Sequence, residues 1–492
     1  MDHVGDDGLL ALPATGPEPG YFPDLQLDQL VGAVVGERDA YNLKPAFHAR
    51  LEDVAAVERR QAVFAALEDE TLRSAVRAFC DGLARSEQLF QAAKQVRHPA
   101  MAQRWRLNAV AAYVRVVESM EAAGLPEWQT WLRHYRASAS FDAMAKGARA
   151  LLAELGELRY TLSISGDAIT VSPFDGQEDL VAGTLAMFER FHAGEVPPHD
   201  FDLRPGAEMN QLQGAVLDLV VQLFPEVFDR VARFLDEHST FRAPMVDVVE
   251  REFRFALSWL DFIAPVRQAG LPFCVPAMSE AARFDVVDTF DVLLARTLVA
   301  AGQSPVTNSV ALRGEERMLV VTGPNQGGKT TFARTAGQLY HLAALGLPVP
   351  GRAAALHPPD AILTHFDRGD RAGEQQSRLE EEVTRMTGLL ARATPRSVVI
   401  LNEMFSSTTF VDARTMSVDV LREVLAADAV GVCVTFIDEL STLDPRIVSL
   451  VTGIETFTVT RGPADGDARS LALAARYGLT HDQLRARIEA HA

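Results

Sequence analysis

Hydrophobic positions recur at helical spacing through most of the first half of this chain and turn strand-like through much of the second. Between about residues 41 and 155 Ala, Leu, Glu and Arg dominate and breakers are few. Phe79, Leu83, Leu89 and Phe90, then Val110, Tyr113 and Val116, fall at helical spacing. Stripes of this kind mark core more often than cofactor contact. The texture changes at ELRYTLSISGDAITVSPF, where two alternating runs, Tyr160 to Ile164 and Ala168 to Ser172, flank Ser165-Gly166-Asp167. That pattern predicts a β-hairpin within about 158–173. Helical patterning resumes near Leu180 and is strong from Met209 to Leu235, where Leu212, Val216, Leu219, Val220 and Leu223 define one face and Pro225 marks a break or kink. A further helix is predicted over about 245–265, with Phe253, Phe255, Leu257, Trp259, Leu260 and Phe262.

Beyond Pro272 strand-like runs (Leu319 to Thr322, Val398 to Leu401, Val432 to Phe436, Thr456 to Val459) alternate with helices, the signature of an α/β sheet. The fold class that follows is multidomain: an all-α domain carrying one small hairpin, then an α/β domain. Residues 1–40, Pro- and Gly-rich in LPATGPEPGYFPDL, are expected to form an arm docked on the helices that come next. The helical domain is assigned to 41–270, the α/β domain to 271–465, and two short helices around Gly478 to 466–492.

Composition narrows the setting. Hydrophobic content of 48% and charged content of 23% describe an ordinary globular chain. Cys80, Cys274 and Cys433 are far apart, with no metal spacing and no disulfide framework, and the N-terminus has no basic n-region. No apolar run approaches the roughly 18 residues of a membrane span. A cytoplasmic protein without a membrane partner is expected. The net charge of −19 argues against a surface that coats nucleic acid. Lys94, Arg97, Arg104, Arg106 and Arg115, with Trp105 among them, form either a local basic patch or, on the plainer reading, a solvated helix face.

The chemistry is concentrated in MLVVTGPNQGGKTTF, Met318 to Phe332. An apolar run leads into Gly323, four residues intervene, and Gly328-Lys329-Thr330 follow before a helical pattern. This is the G-x-x-x-x-G-K-[ST] phosphate loop with a strand before and a helix after. Glycines let backbone N–H groups curl around phosphate oxygens, and the helix N-terminus turns its dipole to the same anion. Lys329 can reach the β- and γ-phosphates and the Thr330 hydroxyl can ligate Mg²⁺. The chain has only four lysines, Lys44, Lys94, Lys146 and Lys329, and one stands where this chemistry needs it. A nucleoside triphosphate with Mg²⁺ is the expected ligand. About 70 residues on, SVVILNEMFSSTTF is an apolar strand ending in Asn402-Glu403, and Glu403 is the natural general base or water-orienting carboxylate. Between them GEQQSRLEEEVTRMTGLLARA predicts an amphipathic helix with Leu379, Val383, Met386, Leu389 and Leu390 on its apolar face. Ser377 is its expected N-cap and Glu380, Glu381 and Glu382 suit its dipole.

TGPNQGGKTTF, the Ser-capped acidic helix, VVILNEMFSSTT and TFIDEL together resemble the ATPase module of the MutS family of DNA mismatch-repair proteins. The similarity is strong over about 300–485 and weaker over about 40–270, where YFPDLQLDQLV and the long helices look like the family's lever domain. The resemblance implies an ABC-type, P-loop ATPase domain with ATP and Mg²⁺ as its cofactors. It also implies that Gly323, Pro324, Asn325, Gln326, Gly327, Gly328, Lys329, Thr330 and Thr331 cradle the nucleotide, together with Asn308 of VTNSVAL. Lys329 and Glu403 become catalytic, and Thr330, Asn402 and Glu403 become the metal set. Ser377 falls where the family's signature serine reaches the partner's γ-phosphate, which implies a homodimer with composite sites and DNA as a possible partner. ARSLALAARYGLTHDQLRARI looks like the family's helical dimerisation element. Three departures stand out: Asn402 replaces the acidic-strand aspartate, Phe436 replaces the switch histidine, and Pro305 and Val306 stand where an aromatic usually stacks adenine. They predict weak Mg²⁺ binding and slow turnover. The sequence begins almost directly with the lever-like region, so mismatch reading by the family's Phe-x-Glu wedge is not expected.

Overall fold

The structure is a computed structural model that describes residues 8–120, 124–165, 168–176, 211–366, 375–453 and 456–464, with positions 466, 483–485 and 487. It is rich in helix and carries mixed sheets. The chain divides into two compact units. One is built mainly from Asp69–Phe253, the other from Leu9–Glu68 and the chain from Arg254 onward.

The first unit holds the middle of the long-helix region assigned to 41–270; the residues up to Glu68 and those from Arg254 onward belong to the second unit. Helix Glu70–Gln95 starts where the Asp69 carboxylate accepts from Leu72 N (2.9 Å), and helix Pro99–Ser119 begins with a proline, which has no N–H to leave unpaired. The two pack along each other and bury Phe79, Leu83, Leu89, Val110 and Tyr113, as their spacing predicts. Tyr113 ties the unit together: its hydroxyl accepts from Ala243 N (3.1 Å) and pairs with the Tyr135 hydroxyl (3.0 Å). The hairpin forms as expected, with β1 (Tyr160–Ser165) antiparallel to β2 (Ala168–Pro173). Pro225 does break the following helix, ending one segment at Leu223 and opening the next. The face predicted for that segment is only partly covered: Val220 is buried, but Leu212 is 55% exposed. The helical pattern near Leu180 lies outside the described residues. Of the basic cluster, Trp105 is buried and Arg106 donates to Leu235 O (3.3 Å), so neither is offered to a base or a phosphate.

The second unit is organised by a six-stranded sheet in the order β10-β11-β12-β7-β13-β14. Here β7 is Met318–Thr322, β10 Ile362–Phe366, β11 Val398–Asn402, β12 Val430–Val434, β13 Ile447–Thr452 and β14 Val459–Arg461; β3 (Phe273–Cys274), β4 (Ala277–Met278), β5 (Phe284–Thr289), β6 (Asn308–Ala311), β8 (Val349–Pro350) and β9 (Ala353–Leu356) form two smaller sheets. Every pairing is parallel except β13 with β14. Strands β7, β11 and β12 are buried at all five positions, as expected for parallel strands covered on both faces. Their carboxyl ends, where such sheets bind ligands, carry the loop and the acidic turn.

The N-terminal arm differs from its expected placement. Residues from Leu9 to Glu68 belong to this second unit, not to the helices that follow them in sequence. Phe22 and Leu25 are fully buried, Leu25 packs against Gly337, and the Leu25 carbonyl accepts from Gln338 Nε2 (2.9 Å). Tyr21 bonds to the fully buried His341 (3.0 Å), and Asp24 accepts from Thr364 on β10 (2.7 Å). The arm's apolar side chains find their partners on the helix Lys329–Ala344, a contact no local pattern announces. Among the described residues no helix is long and apolar enough to cross a membrane. Residues 466–492, the expected dimerisation element, lie almost wholly outside those described.

Candidate functional site

Strand β7 delivers the chain into a loop that closes on helix Lys329–Ala344. Gly328 is the residue before that helix and has φ 84°, a left-handed conformation that costs a glycine nothing. A Cβ on Gly327 would stand 2.7 Å from Thr452 Oγ1 and 3.0 Å from Pro324 O, so that position has no room for one. The first N–H groups of the helix have no intrahelical acceptor and point toward the loop. Beside them opens a cavity of about 650 Å³. Pro324 to Thr331, Asn308 and Glu403 all line it. Gly323 and Asn402 act through neighbours on that wall.

Lys329 is 4% exposed and its ammonium is turned inward on the loop. It donates to Gly323 O (2.7 Å) and Pro324 O (3.0 Å), and it lies 4.5 Å from the centre of the Phe436 ring. Burial pulls its pKa below the ordinary lysine value, and the Glu403 charge works in the opposite direction. Thr330 Oγ1 donates to Asn402 Oδ1 (3.0 Å), which brings two of the predicted metal residues together between the helix Lys329–Ala344 and the end of β11. Glu403, the third, directly follows β11 with φ 54°, and its N–H donates to Val434 O (2.9 Å). A non-glycine residue held at positive φ is strained. Phe405, two residues on, has φ 57°.

Ser377 is the third residue of the helix Gln375–Leu390 as described, so it stands in the first turn and is not the N-cap; its side chain lies outside the described residues. On that helix Met386 and Leu389 are buried and Leu379 and Leu390 partly so, but Val383 is 38% exposed. Asn308 lines the cavity with its amide already engaged. Its Oδ1 accepts from Val459 N (2.7 Å) and its Nδ2 donates to Phe457 O (3.4 Å).

Several lining residues have no counterpart among those expected from sequence. Phe290, Leu294, Leu298, Pro305 and Val306 make an apolar wall, and Phe457 sits on it with φ 52° and its ring 47% exposed. Pro305 and Val306 are therefore at the cavity, and Phe457 brings an aromatic ring to the same space from elsewhere in sequence. A phosphate-binding loop beside an apolar wall fits a nucleoside triphosphate: anion at the helix N-terminus, base against carbon. Residues 319–462 match the family model for MutS domain V.

This segment is a MutS domain V.

The matched segment of the MutS domain spans the phosphate loop, the acidic helix, Asn402-Glu403 and Phe436, so the departures at 402 and 436 lie inside it. As a MutS-family domain it is of the ATPase class. Phe436 is 50% exposed and covers the lysine ammonium, a contact an aromatic ring can make but one that leaves no donor for a phosphate.

Proposed function

We propose that this MutS-family chain binds ATP with Mg²⁺ and hydrolyses it slowly, as a homodimer with composite sites that works as a nucleotide-driven clamp on DNA or a DNA structure. The observation that supports it is the convergence of Lys329, Thr330 and Glu403 on one cavity that Phe290, Leu294, Leu298 and Phe457 also line. ATP supplies the transferable phosphoryl group and Mg²⁺ the charge that neutralises it. The chain's own residues do the rest. Backbone N–H groups of Gly327 to Thr331 hold the phosphates, and Lys329 leaves the Gly323 and Pro324 carbonyls to pair with them. Thr330, Asn402 and Glu403 would hold the metal, Asn402 through a neutral amide oxygen that adds no negative charge. Glu403 orients the attacking water, and Ser377 completes the partner's site.

A second reading is a nucleotide-gated switch that hardly hydrolyses ATP and acts on a protein partner. Phe436 over Lys329 favours it, because the ring holds the lysine in its loop-bound position. Steady-state turnover measured against protein concentration separates the two. Composite sites predict activity that rises faster than linearly, and Glu403→Gln should remove it while leaving nucleotide affinity in place. Wild-type turnover equal to that of Glu403→Gln rejects the enzyme reading. A DNA titration across salt tests the clamp, which falls if no binding is found at low salt.

A further inference from the structure

The acidic helix does more than complement its own dipole. Glu380 and Glu381 are exposed, but Glu382 turns inward with 14% of its side chain accessible. Its Oε1 accepts from Phe405 N (2.6 Å) and from His365 Nε2 (2.9 Å), and its Oε2 accepts from Ser407 Oγ (3.4 Å). Arg385, one turn along the same helix, donates to His365 Nδ1 (3.1 Å) and to Phe366 O (3.0 Å). With Nδ1 accepting, the ring proton sits on Nε2 and points at the carboxylate. Burial pushes the Glu382 carboxyl up, and its bonds from His365, Phe405 and Ser407 outweigh that, leaving it below the usual range. Three donors from two other segments thus converge on one carboxylate.

Two of those donors belong to the turn that begins at Glu403. Glu403 and Phe405 both hold positive φ, and neither is glycine, so the turn needs outside support to stay in this form. The bond to Phe405 N is that support, made at the second strained residue. We infer that Glu382 is a positioning residue: its carboxylate fixes the turn 403–407 and so aims the Glu403 side chain into the nucleotide cavity. The inference rests on the proposed role of Glu403. It adds that the helix bearing Ser377 holds this carboxylate by its own side chain, so the two ends of the reaction geometry are mechanically joined within the subunit.

Glu382→Ala removes all three bonds. Glu382→Gln keeps an amide oxygen for Phe405 and His365 and turns its NH₂ to Ser407 Oγ, which can accept. Two readouts are taken on the intact chain: Mg²⁺-ATP turnover, and hydrogen exchange of peptides covering 403–409 and β11. For Glu382→Ala, kcat should fall roughly 10- to 100-fold, as for a misaimed catalytic group, with KM within about 3-fold of wild type. Exchange should quicken in 403–409 and stay unchanged in β11. Glu382→Gln should restore most of kcat and the protection of 403–409. The inference is overturned if Glu382→Ala leaves exchange in 403–409 unchanged, if it raises KM with kcat intact, or if Glu382→Gln is as impaired as Glu382→Ala. If the wild-type chain shows no turnover, the hydrolysis reading fails, and exchange in the two variants alone decides whether Glu382 holds the turn.

Discussion

The two halves of the nucleotide site are made in opposite ways. The phosphate-loop half is a contiguous stretch, Gly323 to Thr331, whose shape follows from glycines, one buried strand and the helix it opens. The acidic half ends β11 in a turn with two left-handed non-glycine residues, kept in shape by a carboxylate from another helix and by Val434. One half is specified by its own residues, the other by distant ones. Damage to the first should therefore be local and severe, whereas the second should respond to changes at positions that never meet the nucleotide.

The largest expected effect is on the loop side. Lys329→Ala should weaken ATP binding roughly 100-fold, the loss of a charge-assisted contact to phosphate, measured by equilibrium titration with Mg²⁺-ATP. If affinity falls less than tenfold, the lysine's inward pose on the loop carbonyls is its working position and the contrast between the halves breaks. Acid should also reach the loop side first. His341, on the helix that follows the loop, is buried and neutral, with its pKa pushed down to about 3 from 6.5 by burial. A depressed histidine gives full stability above pH 6.5, and that stability drains as pH falls toward 3. At pH 5 the loss is about 2 kcal/mol. Denaturant midpoints of wild type and His341→Gln across pH 7 to 4 check it: only the wild type should carry this slope. Glu382 on the acidic side has a lowered pKa and keeps its full contribution down to the ordinary value of 4.5, losing it only as pH falls from there through its lowered value. The smallest effect sharpens the comparison at the seam. Phe436→His removes a cation–π contact worth about 1 kcal/mol and adds a donor, so turnover should rise roughly 5-fold. An unchanged or lower rate would show that the ring does not restrain Lys329.

This contrast also accounts for what could be read from sequence. The loop, Asn402-Glu403, the hairpin and the break at Pro225 were legible because each is set by neighbours in the chain: a glycine pattern, a strand end, an alternation, a proline. Glu382 was legible only as a dipole partner, since its real donors, His365 and Phe405, are 17 and 23 residues away. Phe457 was invisible for a similar reason. Its place on the cavity wall depends on Asn308, 149 residues earlier, holding its carbonyl. Ser377 looked like a cap because serine before an acidic run usually is one. The arm was misplaced because chain order is a poor guide when the partner of an apolar pair lies hundreds of residues on.

That last point has a consequence in time. Tyr21 and His341 are separated by 320 positions, and the residues of the helical unit are made between them. At about 5–20 residues per second, the arm leaves the ribosome on the order of 20 to 60 seconds before the helix it binds. During that interval Phe22 and Leu25 lack the helix that covers them. Residues 9–68 are thus made well before the helix that covers them, and a newly made molecule offers Phe22 and Leu25 to chaperones until that helix emerges.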